Sequence, residues 1–132
     1  MKNFSLPLYS LFCFLSILSF PKMAFCQVSG DGSLNTNVTS SDQLNFSIND
    51  GSRAGNNLYH SFQEFSVKTG GSSVFNNSSD VVNIINRVTG GNVSDINGLI
   101  RATGNANLFL INPQGIVFGQ DARLDIGGSF FW

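Results

Sequence analysis

The sequence predicts an all-β chain, built as a stack of short coils. Strand-length apolar clusters recur at near-regular spacing from residue 27 onward, and Gly, Asn and Ser fill the gaps between them. Both cysteines, Cys13 and Cys26, lie in the first 26 residues, so no disulfide is available to staple the remainder as a small secreted domain. A chain of this kind finds stability in its own neighbouring repeats, each coil burying its apolar face against the next in a β-solenoid. Composition alone leaves a β-sandwich with long loops equally open.

The first 26 residues have the layout of a secretory signal peptide. Lys2 is followed by an apolar run from Leu6 to Phe20, and Ala24 and Cys26 occupy the small-residue positions before a cut that releases Gln27. A membrane anchor needs roughly 20 uninterrupted apolar residues, and Pro21-Lys22 breaks this run too early. A lipidated Cys26 fits less well beside bulky Phe25. With residues 1–26 removed, five Lys and Arg face eight Asp and Glu, a formal charge of −3. No basic patch remains to hold nucleic acid or an anionic membrane.

The elements follow in order. Val28-Ser29-Gly30-Asp31-Gly32-Ser33 opens in turn residues, and Leu34 to Val38 alternates as a strand. Leu44-Asn45-Phe46-Ser47-Ile48 alternates cleanly and ends in Asn49-Asp50-Gly51. Strands are expected over Leu58–Phe62 and Glu64–Val67, closed by Gly70-Gly71, and over Ser73–Phe75 before the Asn76–Ser79 turn. Val81, Ile84, Ile85 and Val88 keep helical spacing, with Asp80 placed to cap, whereas their β-branched side chains favour a pleated surface; a helical turn and a strand both fit. The run Val93–Leu99 and then Ile100-Arg101-Ala102 leads to residue 105, and further strands are expected over Ala122–Ile126 and from Ser129 to Trp132.

The most informative stretch is Asn105 to Gly119, N-A-N-L-F-L-I-N-P-Q-G-I-V-F-G. Two apolar strands, Leu108–Ile111 and Ile116–Phe118, flank Asn112-Pro113-Gln114-Gly115, whose residue types suit a type I turn. Leu108 to Ile111 lacks polar alternation, which predicts that both of its faces are covered. A stack broken off at Ser129-Phe130-Phe131-Trp132 would leave an open apolar edge. The chain is therefore expected to be C-terminally incomplete and poorly soluble alone.

Catalytic and metal chemistry find little support. His60 is the sole histidine, the acidic residues are scattered singly, and Asp121 and Asp125 flank Arg123 as a solvated strand face would. Neither a Cys/His metal spacing nor a phosphate-binding glycine loop occurs, so no cofactor, metal, nucleic acid or small-molecule substrate is expected. The Asn-x-Ser/Thr triplets at Asn37, Asn45 and Asn92 are expected by chance in so Asn- and Ser-rich a chain.

Three segments in this order, Gly55-Asn56-Asn57-Leu58-Tyr59-His60-Ser61-Phe62-Gln63-Glu64-Phe65, Asn83-Ile84-Ile85-Asn86-Arg87-Val88-Thr89-Gly90 and Asn105 to Gly119, resemble the N-terminal two-partner secretion (TPS) domain of filamentous haemagglutinins, in wording most similar to cyanobacterial members. The resemblance covers 27–132. It implies a right-handed parallel β-helix of the pectin-lyase-like kind, acting as a secretion signal and folding nucleus of an adhesin-like exoprotein and not as an enzyme. Such a domain crosses the inner membrane by its signal peptide. An outer-membrane β-barrel transporter then recognises it through periplasmic domains, placing the product at the cell surface or outside the cell.

By the same resemblance, Asn112, Pro113, Gln114, Gly115 and Ile116 occupy the family's N-P-N-G-I turn, with Gln114 in place of Asn; Asn105 and Asn107 lead into it. A second motif region comprises Asn77, Ser78, Asn83 and Arg87, with Ser78 where the family has Pro. The turn could equally serve only to shape a coil corner. Two other readings stay open: a fragment of a β-helical polysaccharide-active enzyme, which would need carboxylates aligned on one face, and a non-functional truncated remnant.

Overall fold

The computed structural model describes residues 27–132, so the segment expected to be a signal peptide, Cys26 included, lies outside the described residues. The described chain forms strands and no helix. A first group comprises β1 (Val28–Gly30), β2 (Thr36–Thr39), β3 (Asn45–Asp50) and β4 (Ser52–Ala54). The first coil holds β5 (Asn57–Phe65) and β6 (Ser72–Phe75), and the second β7 (Asn83–Val88), β8 (Ser94–Ile96) and β9 (Leu99–Ala102). The third holds β10 (Asn107–Ile111), β11 (Ile116–Phe118) and β12 (Arg123–Asp125), and β13 (Phe130–Phe131) starts the next.

Like strands of successive coils pair in parallel. β5, β7, β10 and β13 form one sheet, β3, β6, β9 and β12 a second, and β8 with β11 a third, which a bridge from Val67 to Ile96 extends to the first coil. The result is a β-solenoid. Register aligns inward residues in columns: Leu58, Ile84, Leu108 and Phe130 stack, as do Ile48, Phe75 and Ala102. Each fully buried large apolar side chain contributes about 1.5–3 kcal/mol. Part of this core is aromatic, since Phe62, Phe65 and Phe75 are buried with ring centroids 5.1–6.4 Å apart.

The N-terminal end is closed differently. β1 and β4 pair antiparallel with β5, and β2 pairs antiparallel with β3, so the first coil meets a lid of reversed strands. Val28 belongs to the core.

Several expectations need correction. Val28–Gly30, read as turn residues, is a strand, and the two strands expected over 58–62 and 64–67 are the single β5, which ends at Phe65. The segment 81–88 is a strand from Asn83, without a helical turn, because inward Ile84, Asn86 and Val88 alternate with outward Ile85 and Arg87. Buried Asn86 disguises that alternation in the sequence. The strand Leu108–Ile111 is not covered on both faces: Leu108 and Leu110 are buried, but Ile111 is 50% exposed and Phe109 faces outward, stacked on Phe131 at 4.6 Å. Apolar residues on its outer face stack between coils along the surface, which a single strand's pattern cannot distinguish from burial.

Candidate functional site

The Asn112–Gly115 turn joins β10 to β11. The Gly115 amide donates to the Asn112 carbonyl at 2.9 Å, closing it, and the Gln114 amide donates to Asn112 Oδ1 at 2.9 Å. Asn112 therefore caps its own turn, as expected of Asn at this position. Its amide nitrogen donates to the Asn92 carbonyl and to Ser94 Oγ, both at 2.9 Å, binding the turn to the second coil. Gly115 carries φ +110°, a conformation that suits glycine. Pro113 and Gln114 are exposed, and Ile116 turns half inward. What the turn exposes to solvent is thus the Pro113 ring and the Gln114 amide; the side chain of Asn112 is engaged within the fold.

Asn105 is exposed at the corner before β10, where the backbone passes close to Gly127. Asn107 belongs to a ladder. Its amide donates to Asn83 Oδ1 at 3.0 Å, Asn83 donates to Asn57 Oδ1 at 3.0 Å, and the Ser129 amide donates to Asn107 Oδ1 at 2.8 Å. These residues recur at spacings of 26, 24 and 22, so the coils shorten along the stack.

The second motif region is divided by the fold. Asn77 is buried and clamps Thr103, accepting from its amide at 3.1 Å and donating to its carbonyl at 2.9 Å. Ser78 Oγ donates to Asp80 at 2.7 Å, and Asp80 forms an exposed ion pair with Arg53 at 2.9 Å. Hydrogen bonding from Arg53 and then Ser78 outweighs slight desolvation and holds the Asp80 carboxyl down at about 2. Arg87 points elsewhere. Its Nε donates to Ser61 Oγ at 2.7 Å and its Nη2 to Ser33 Oγ at 3.0 Å. The predicted site residues are thus not one constellation; Asn83 and Asn107 meet directly, while Asn77, Arg87 and Asn112 each tie different coils together.

Among the described residues no group of His, Cys, Asp and Glu is arranged to hold a metal ion. Three parallel sheets in register, a turn displayed at a coil corner and inter-coil asparagines are the frame on which a family model matches residues 26–131, described as the TPS secretion domain. The chain belongs to that family. The TPS domain here is also 44% identical over 45 residues to a heme/hemopexin-binding protein of Haemophilus influenzae. That match takes in 34% of this chain and 5% of the relative, so the chain spans a small part of the relative's length. No solved structure matches.

Sequence reasoning passed over two features of this TPS domain. Ser61, fully buried, donates to Asp31 at 2.6 Å while accepting from Arg87, and Thr89 donates to the same carboxylate at 2.7 Å. Partial burial pushes the Asp31 carboxyl up, but hydrogen bonds from Ser61, Ser33 and Thr89 outweigh it and hold the group well below the usual carboxylate range. His60 is the second. It is buried between Phe62 and Phe75, with Nδ1 3.2 Å from Thr36 Oγ1 of β2, and desolvation lowers its pKa to about 4 against the opposing charge of Asp50. The cross-strand partners, Thr36 for His60 and Ser61 and Thr89 for Asp31, lie 24, 30 and 58 residues away and left no local signal.

Proposed function

We propose that residues 27–132 form the N-terminal secretion-signal and folding-nucleus domain of a two-partner-secreted, adhesin-like exoprotein, with residues 1–26 as its signal peptide cleaved between Cys26 and Gln27. The family match over residues 26–131 carries this reading. The domain acts by binding. Its partner is an outer-membrane β-barrel transporter whose periplasmic domains meet it after the inner membrane is crossed, and its destination is the cell surface or the medium. A heme/hemopexin-binding relative that is far longer fits a general secretion element placed ahead of differing functional regions.

Within this reading the turn is the contact. Pro113 and Gln114 are its free surface, and the Gln at position 114 presents a longer amide than Asn would. The test is binding of the chain to the periplasmic domains of a candidate cognate transporter. Replacing Pro113 and Gln114 by Ala is expected to weaken binding at least tenfold with the unfolding midpoint unchanged. Asn112→Ala, which loses the cap and the tie to Asn92 and Ser94, is expected to lower the midpoint as well. Undiminished binding by the Pro113/Gln114 variant would move the contact off the turn.

A further inference from the structure

The connection between β1 and β2 crosses the N-terminal end of the solenoid, and its ties reach far along the chain. Asn35 accepts from the Gly51 amide at 2.8 Å, and its own amide donates to Ser52 Oγ at 3.1 Å. Asp31 donates its amide to the Ser61 carbonyl, while its carboxylate accepts from the Ser33 amide and hydroxyl, from Ser61 of the first coil and from Thr89 beyond the second-coil strand β7. Arg87 bridges from β7 to the hydroxyls of Ser61 and Ser33, placing its positive charge across two hydroxyls from the Asp31 carboxylate. Thr89 lies 58 residues beyond Asp31, and Arg87 lies 54 beyond Ser33.

We propose that residues 31–35 are a strap that closes over the end of the solenoid only when β7, the first strand of the second coil, is in place, with Arg87 and Thr89 as its keepers. β1 and β2 have three and four residues and each pairs along one edge, too little to hold an isolated hairpin-scale unit in water. The closing contacts must also meet the entropy of a loop of more than fifty residues, which already folded coils shorten. Buried Ser61 strengthens the coupling. Its hydroxyl donates to Asp31 and accepts from Arg87, so losing either partner leaves a fully buried polar atom half-satisfied. A chain folding from its N-terminus would therefore carry its lid open through the first coil and shut it after Thr89, although the lid is the first segment described.

Pulse-labelled hydrogen exchange during refolding of the full chain tests the order. Amides of β5 and β7 are expected to gain protection first, with the Asp31 amide and those of β2 following in a separate, slower phase. Protection of the lid together with or before β5 overturns the proposal. Native-state exchange tests the keepers independently. Thr89→Val, which keeps the shape and loses the hydroxyl shared between Asp31 and the Phe62 carbonyl, and Arg87→Ala are expected to speed exchange at Asp31 and in β2 at least tenfold while leaving β10 unchanged. Arg101→Ala, which breaks an exposed pair with Asp125, leaves the lid as it was. Equal acceleration in β10 and the lid, or none in either, would reduce the keepers to ordinary contributors to stability.

Discussion

At the N-terminal end of the solenoid three short strands, β1, β2 and β4, run antiparallel to the first coil, whereas at the other end β11, β12 and β13 present parallel edges with no partner among the described residues. The side chains differ as well. Next to the lid, Phe46, Phe62, Phe65 and Phe75 are all buried, while Phe118, Leu124, Phe131 and Trp132 at the far end are 37–73% exposed. Reversed strands spoil the register that a further parallel coil would need, so the lid terminates the stack. The open end keeps register, edge and apolar surface together, the combination that invites another strand.

The largest expected asymmetry between the ends is in the aromatic residues. Phe62→Ala would cost about 3–5 kcal/mol in denaturant unfolding because its neighbours cannot collapse into the space. Trp132→Ala should cost less than about 1 kcal/mol, as expected at a surface position, and should reduce self-association in sedimentation. Equal costs would mean that the open end is as tightly organised as the closed one.

A smaller effect separates two glycines. A side chain at Gly90 would strike the backbone carbonyl of Gln63, which is fixed in the sheet, whereas one at Gly119 would meet the side chain of Asn97, which can swing away. Gly90→Ala is therefore expected to cost roughly 1–3 kcal/mol, and Gly119→Ala distinctly less, by the same unfolding measurement.

His60 sharpens the comparison through pH. Its folded-state pKa is lowered from 6.5 to about 4, so burial favours the neutral ring. The stability it permits is whole above pH 6.5 and is lost as the pH falls from there toward 4, by an amount of order 1–3 kcal/mol. His60→Leu should flatten that slope in a pH series of unfolding midpoints. The carboxyls of Asp31 and Asp80, held low, act only further into acid. The smallest effect belongs to Arg101→Ala at the open end, at most about 1 kcal/mol for an exposed pair and less in high salt.

What could be read from the sequence follows from how far each interaction reaches. Alternation in residues 44–48 and the turn at 112–115 are local, and both occur where expected. The strand at β1 escaped notice because Ser29-Gly30-Asp31-Gly32 carries turn residues, and only pairing with β5 extends it. The segment at β7 was ambiguous because an inward Asn86 occupies a position where a pattern reader expects a hydrophobe. Individual roles were less legible still. Asn77, Arg87 and Asn112 stand out as motif residues, but their partners Thr103, Ser33 and Asn92 lie in other coils or in the lid, and spacing along the chain does not encode that meeting.

The asparagine ladder bears on which length changes the domain could accept. Asn57, Asn83 and Asn107 stay aligned although successive coils differ in length, so the difference is absorbed at corners between strands. An insertion at such a corner moves no rung, whereas a single residue added within β7 turns Asn83 to the opposite face and breaks the bonds to Asn57 and Asn107 together. Insertions and deletions would therefore accumulate at corners and spare the strands, and lineages could diverge widely in length while keeping one column of amides.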